Sequence, residues 1–150
     1  MNFKEFLTES EKHNEDVQKT LGKIPQMHSA LVKGYKIKFQ PGNTLKGDDG
    51  HIGFIDEEKK TITIASPWNY GREYTLLHEI AHAVWKYIVT DDLKENWHAL
   101  FKAEKKKDST GLDQGSEEIF CMTYAQHYAH NKMVKFAHPR LVEFIKKLPK

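Results

Sequence analysis

The sequence has a single cysteine, Cys121, and it contains no run of about 18 consecutive apolar residues. One cysteine excludes an intramolecular disulfide and a cysteine-rich structural zinc site, so Cys121 is most simply a core residue. The absence of long apolar runs excludes a membrane-spanning helix, and the polar beginning of the sequence has no signal-peptide pattern. We therefore expect a cytoplasmic protein without a membrane partner.

A strong net charge is also lacking, because 23 basic and 21 acidic residues leave a formal charge of only +2. This balance gives no general reason to expect a nucleic-acid partner. The basic run of Lys102, Lys105, Lys106 and Lys107 has no interleaved aromatic residues, and a nucleic-acid module is accordingly the least favoured class. With 150 residues and 39% hydrophobic content, the chain is long enough for one domain, 1–150, and we expect a monomer.

The spacing of apolar residues predicts an α+β fold in which an N-terminal helix and a short antiparallel-containing sheet precede a helical half. Strands are expected where apolar and polar residues alternate, and helices where apolar residues recur every three to four positions. The predicted elements are a helix at 3–21, strands at 35–39, 51–55 and 61–65, and helices at 72–89 and 92–107. Two further helices are predicted to begin after Ser116, as N-cap, and at Pro139.

The predicted helix at 72–89 contains His78, Glu79 and His82 in the pattern H-E-x-x-H. Residues four apart lie on the same face of a helix, so the two imidazoles can bind one metal ion. Glu79 is then close enough to act as general base on a water at the metal, which is the arrangement of zinc hydrolases. The alternative is a pair of core histidines that are hydrogen-bonded to neighbours; the apolar surroundings make that alternative less attractive, because buried polar groups need a reason to be there.

A catalytic zinc site commonly has three protein ligands, and the third must come from downstream. A histidine on the same helix is excluded, because Trp85 and Ile88 occupy the positions that an extended H-E-x-x-H-x-x-G-x-x-H pattern needs. Glu117 and Glu118 are the preferred candidates because they begin a strongly apolar helix that must be buried against something. Weaker candidates are Asp91, Asp92, Glu95, His98, His127 and His130, of which His127 falls on the opposite face of its helix from Glu118.

The motif at His78, Glu79 and His82, followed by Glu117 and Glu118 about 35 residues later, resembles the gluzincin pattern, in which a helical glutamate is the third zinc ligand. More narrowly, the chain from about residue 61 onward is similar in layout to the catalytic domain of the anthrax lethal factor type and of the related Pro-Pro endopeptidases. The resemblance implies a zincin-like domain with Zn²⁺ as cofactor and Glu118 as the metal-binding glutamate.

The same resemblance implies that a protein or peptide substrate lies along the open edge of the strand at 61–66, with Ile64, Ser66 and Tyr70 as substrate-binding residues. One feature of those relatives is missing here, since they carry a tyrosine about seven residues before the ligand glutamate and this sequence has Gly111. Support for the oxyanion would then come from Tyr70, Tyr74 or a loop amide.

Two functions follow as expectations. The first is a zinc-dependent endopeptidase, a hydrolase whose metal ligands are His78, His82 and Glu118 and whose catalytic base is Glu79. The second is a regulatory protein similar to the ImmA/IrrE type, which cleaves or merely binds one protein partner; an inactive metal-binding interaction module is its limiting case. Broad, chelator-sensitive cleavage of unstructured peptides would favour the first over the second.

Overall fold

The computed structural model describes residues 14–40, 53–65, 72–129 and 138–150, which form an α+β domain. The elements follow one another as α1 (the helical residues 14–21), α2 (Gln26–Ser29), a 3-10 turn (Ala30–Val32), β1 (Lys36–Phe39), β2 (Gly53–Asp56), β3 (Thr61–Ile64), α3 (Arg72–Tyr87), α4 (Asp91–Lys107), α5 (Ser116–Ala129) and α6 (Pro139–Lys146).

The sheet has the strand order β1-β3-β2, with β1 parallel and β2 antiparallel to β3. The predicted antiparallel pairing is confirmed for β2 and β3, whereas β1 adds a parallel pair, so that the sheet is mixed. The β2–β3 pair is antiparallel because a short turn joins it, in which Lys60 adopts a positive φ of 52°. β3 takes the central position because it is the most apolar strand, with Ile62 and Ile64 almost completely buried.

The helices agree closely with the predicted ones, because apolar periodicity is a local property of the sequence. α3 packs on β2 and β3 with one side and along α5 with another, while α4 and α6 close the core from the α5 side. Cys121 is buried in this core, as predicted. The described part of α1 lies within the predicted helix at 3–21, whose earlier residues fall outside the described ranges.

Two helix starts determine how α4 meets α5. Thr90 is the N-cap of α4, and its hydroxyl accepts a hydrogen bond from the Leu93 N–H. Ser116 is the first residue of α5 and not its N-cap, since the Ile119 N–H donates to the carbonyl of Gly115. The buried indole of Trp97 donates to the Ser116 carbonyl at 2.9 Å and thereby fastens the start of α5 to α4.

None of the helices in the described ranges is long and apolar enough to cross a membrane.

Candidate metal centre

α3 carries the H-E-x-x-H residues on the side that faces the start of α5 and the strand β2. The opposite side of the helix is built from apolar residues such as Leu77, Ile80 and Val84, which are fully buried and fix the rotation of α3 about its axis. His78 and His82 consequently stand on a half-buried face, with their ring centroids 5.3 Å apart.

Glu118 reaches both imidazoles from the first turn of α5. Its Oε2 lies 3.0 Å from His78 Nε2, and its Oε1 lies 3.1 Å from His82 Nε2. Both histidines thus direct the same ring nitrogen towards one carboxylate, although they are 36 and 40 residues away from it in sequence. α5 brings this carboxylate to α3 because the two helices pack along each other.

Glu117 contacts a different atom of the same pair of histidines. Its Oε2 lies 2.9 Å from His82 Nδ1, where it can accept a hydrogen bond from the Nδ1–H group. In that tautomer, Nε2 of His82 has a lone pair that faces Oε1 of Glu118. Two electron-rich atoms at 3.1 Å need a proton or a cation between them.

Glu79 lies on the β2 side of the two histidines and is nearly buried, with 7% of its surface exposed. One possible ligand atom from each of His78, Glu79 and His82 fits within a span of 4.8 Å. A carboxylate so close to the ring nitrogens can be a ligand or can act on a water beside them. Glu118, which offers one oxygen to each imidazole, and Glu79 are thus the two carboxylates that could complete a metal site on these histidines.

Gly53, the first residue of β2, makes room for Glu79. A Cβ atom at this position would lie 2.7 Å from Thr75 Cγ2 and 2.9 Å from Glu79 Oε1. The strand backbone therefore approaches α3 more closely than any residue with a side chain would allow.

Burial controls the electrostatics of the cluster. It lowers the pKa of His78, an effect that the Glu118 carboxylate opposes and that His82 reinforces. The neutral imidazole that burial favours is the form that binds metal ions. Behind the carboxylates, burial and the charge of Glu118 raise the pKa of the Cys121 thiol, so that this residue stays an unreactive thiol.

These groups fit a zinc ion by their chemistry and spacing. Imidazole nitrogen and carboxylate oxygen are ordinary zinc donors, and donors about 2.0–2.1 Å from the metal at tetrahedral angles lie about 3.3 Å from each other. The observed separations of 3.0 and 3.1 Å between Glu118 and the two imidazoles are close to that value. They are equally the lengths of ordinary hydrogen bonds, and metal content is the measurement that separates the two cases.

The cluster lines an open cleft of about 550 Å³ between β2, α3 and the starts of α4 and α5. Its wall on the sheet side is β2, where the ring of Phe54 is 52% exposed. Trp85, one turn after His82 on α3, lines the cleft together with Lys94 of α4. The cleft gives the cluster access to a ligand larger than water.

The structure brings four of the predicted site residues together, His78, Glu79, His82 and Glu118, and separates one from them. Ile64 is 1% exposed on the central strand β3, and its carbonyl accepts a hydrogen bond from the Gln40 N–H at 2.8 Å. The prediction of an open edge along β3 is thus wrong for residues 61–64, because β1 and β2 occupy both sides. The other two predicted substrate-binding residues, Ser66 and Tyr70, lie outside the described ranges.

The weaker candidates for the third ligand do not reach the cluster. Asp91, Asp92 and Glu95 are exposed on α4, while His98 Nδ1 contacts the Ser116 hydroxyl at 2.6 Å. His127 lies near the far end of α5 and contacts Tyr128, and His130 is outside the described ranges.

Sequence reasoning missed three residues around the site: Gly53, Lys94 and the role of Glu117 as a partner of His82. A glycine inside a predicted strand is itself a signal of close backbone approach, and it could have indicated Gly53. No comparable local signal exists for the other two.

A comparison of the chain with protein-family models, curated proteins and solved structures finds no match.

Proposed function

We propose that the protein is a zinc-dependent endopeptidase in which His78, His82 and Glu118 hold the metal and Glu79 is the general base. The observation that carries the proposal is the convergence of His78 Nε2 and His82 Nε2 on the two oxygens of Glu118. Two imidazoles and one carboxylate from two helices, with the further carboxylate of Glu79 beside them in an open cleft, are the groups that a hydrolytic zinc site uses.

A zinc ion held by His78, His82 and Glu118 would supply electrophilic catalysis, by polarising the scissile carbonyl and lowering the pKa of a water molecule. Glu79 takes a proton from the attacking water as the new carbon–oxygen bond forms. It then delivers that proton to the amine nitrogen as the carbon–nitrogen bond breaks, so that one carboxylate serves as base and acid in turn. Its nearly buried position beside Gly53 keeps it close to the histidines.

The substrate is proposed to lie against β2. Among the described strands, β2 is an edge of the sheet, and it also forms the wall of the cleft nearest Glu79. An extended peptide can add to such an edge through main-chain hydrogen bonds, which give affinity with little sequence preference. This assignment replaces the expected pairing with β3.

Tyr74 is the described residue best suited to support the oxyanion. Its ring lies one turn before His78, with the two ring centroids 6.2 Å apart. Burial, with smaller effects from Cys121 and Glu118, raises the pKa of Tyr74 to about 12. The hydroxyl therefore remains protonated at neutral pH and can donate a hydrogen bond.

The test is metal content combined with hydrolysis. We expect one zinc ion per purified chain by mass spectrometry of the metals, and cleavage of an unfolded protein substrate that a chelator stops and added zinc restores. Glu79→Gln should keep its zinc and lose about 10²–10⁴-fold in kcat, because it removes only the proton transfer. His78→Ala and Glu118→Ala should lose both zinc and activity.

A wild-type protein that takes up no zinc would overturn the proposal entirely. Stoichiometric zinc without cleavage of any peptide would instead identify a metal-binding interaction module, the second function expected from the sequence. The cytoplasmic location, the monomeric state and the protein or peptide nature of the substrate belong to the proposal as predictions.

A further inference from the structure

We propose that Lys94 and Trp85 form a carboxylate-binding subsite, so that the preferred substrate carries an acidic group within about two residues of the scissile bond. The inference rests on the proposed function and deepens it by naming a substrate class. The group is either an aspartate or glutamate side chain or the terminal carboxylate of a peptide, since all three present the same chemistry.

The position of Trp85 determines the distance from the metal centre. Trp85 follows His82 by three residues of α3, which corresponds to a rise of about 4.5 Å along the helix. An extended peptide advances about 3.3 Å per residue, so that for a peptide running along α3 this rise corresponds to one to two substrate residues. The indole is held in place by contacts with Phe120 and His98, at centroid distances of 4.9 and 5.6 Å.

Lys94 reaches the same place from the first turn of α4. Its Nζ lies 5.4 Å from the centroid of the Trp85 ring, and the lysine is half-buried in the wall of the cleft. The apolar stem and the ring attraction hold the ammonium group at this point. An ammonium group over a ring still has N–H donors to offer to an incoming acceptor.

The other lysine that lines the cleft in the described part of the chain is already paired with a carboxylate. Lys86 Nζ lies 2.6 Å from Glu57 Oε2, and the hydroxyl of Tyr87 donates to the same oxygen. By contrast, no carboxylate among the described residues lies within 4 Å of the Lys94 ammonium. Of the two lysines that the described residues place in the cleft, Lys94 is therefore the one whose charge is left for a ligand.

A purely structural role for Lys94 has to be separated from this one. The ammonium group could serve only to offset the charge of Glu117, whose carboxylate already contacts His82 Nδ1 at 2.9 Å. In that case, loss of Lys94 would change zinc affinity and would affect acidic and neutral substrates equally. A subsite has the opposite signature, with constant zinc affinity and altered substrate preference.

The test uses quenched fluorescent peptides that differ only in glutamate, glutamine or lysine at each of the two positions on either side of the scissile bond. A second arm compares a free with an amidated peptide terminus, which separates a side-chain from a terminal carboxylate. The variants are Lys94→Met, which keeps the apolar stem, and Lys94→Glu. Lys102→Met, an exposed change on the same helix, is the matched control.

We expect the zinc-loaded wild type to prefer one acidic peptide over its neutral counterpart by about tenfold in kcat/KM, as befits a hydrogen bond between charged groups. The preference should vanish in Lys94→Met, invert towards lysine in Lys94→Glu and persist in Lys102→Met. Equal preference in wild type and Lys94→Met would overturn the inference, as would a loss of zinc affinity without a change in preference.

A binding measurement tests this inference separately from the proposed function. If the zinc-loaded protein cleaves nothing, fluorescence anisotropy with labelled forms of the same peptides measures the preference on Glu79→Gln protein. Tighter binding of the acidic peptide that depends on Lys94 then supports the subsite although the endopeptidase proposal has failed. Absence of any such dependence refutes the subsite whatever the activity.

Discussion

Glu117 and Glu118 are neighbours in sequence and contact different nitrogens of His82. Glu118 faces Nε2, which is also the nitrogen that His78 turns towards it, whereas Glu117 faces Nδ1. A carboxylate on the distal nitrogen of a metal-binding histidine orients the ring, fixes its tautomer and makes it a better donor. In the proposed zinc site, Glu117 would therefore be a positioning residue for His82.

Glu117→Ala should weaken zinc binding by about 10- to 100-fold without abolishing it, because the imidazole loses its orientation but remains a donor. Competition with a coloured zinc chelator measures the affinity, and Glu95→Ala, an exposed change on α4, is the control. Complete loss of zinc in Glu117→Ala together with retention in Glu118→Ala would make Glu117 the ligand and Glu118 the positioning residue.

At the scale of secondary structure, the contact between β2 and α3 depends on Gly53. The nearest atoms to a Cβ there would be Thr75 Cγ2 at 2.7 Å and Glu79 Oε1 at 2.9 Å, both closer than real Cβ contacts. Relief requires a shift of the strand or a rotation of the Glu79 carboxylate. Rotation would displace the proposed base from its place beside the histidines, whereas a shift of the strand would loosen the wall that holds it there.

Gly53→Ala should consequently lower the free energy of unfolding by about 1–3 kcal/mol, the usual cost of overpacking. It should also reduce kcat while zinc affinity stays the same, because neither histidine nor Glu118 touches the new methyl group. Urea unfolding and steady-state kinetics measure the two effects. Gly22→Ala is the matched control, since its Cβ meets only ordinary contacts at 3.4 and 3.5 Å. Unchanged stability and kcat would show that the strand yields freely.

The helices could be predicted from the sequence, whereas the order of the strands could not. α3 and α5 follow from local spacing and from the carboxylates at the start of α5, which favour the positive end of a helix dipole. Strand pairing is non-local, and nothing in the sequence of β1 indicates that it joins β3 in parallel. The substrate edge was misassigned for that reason.

The candidate site likewise has one part that could be predicted from the sequence and one part that could not. His78, Glu79 and His82 share a helix, so their proximity follows from the helical repeat. The choice between Glu117 and Glu118 depends on the rotation of α5 about its axis, which tertiary contacts such as the Trp97–Ser116 hydrogen bond determine. Sequence spacing carries no information about that rotation.

At the scale of the whole molecule, His28 joins three distant parts of the chain. This residue of α2 is completely buried. Its Nδ1 accepts a hydrogen bond from the Tyr124 hydroxyl of α5 at 2.9 Å, and its Nε2–H donates to the Pro149 carbonyl at 2.6 Å. Both nitrogens are thus satisfied in the neutral ring. Protonation would place a second donor opposite the tyrosine hydroxyl, which would then have to turn its own hydrogen away.

The pKa of His28 is lowered, chiefly by burial and also by the charge of Lys150, although the bond to the Pro149 carbonyl acts the other way. In the unfolded chain the imidazole titrates near its ordinary value of about 6.5, so that below this pH the unfolded state binds more protons than the folded one. The contribution of the neutral ring to stability is therefore complete above about pH 6.5 and is lost as the pH falls through the lowered folded-state pKa.

We expect the free energy of unfolding of the metal-free protein to fall as the pH is lowered from about 6.5, with His28 contributing a slope of at most about 1.4 kcal/mol per pH unit. Urea unfolding of the wild type and of His28→Gln in the presence of a chelator measures this contribution as the difference between their slopes. The chelator removes any separate pH dependence from the proposed metal binding at His78 and His82. The glutamine variant should be less stable at pH 7.5 and should show the shallower slope below pH 6.5. Parallel curves of unfolding free energy against pH would mean that His28 is protonated in the folded protein as readily as in the unfolded one. Its burial between α2, α5 and Pro149 would then hold these segments together without any dependence on pH.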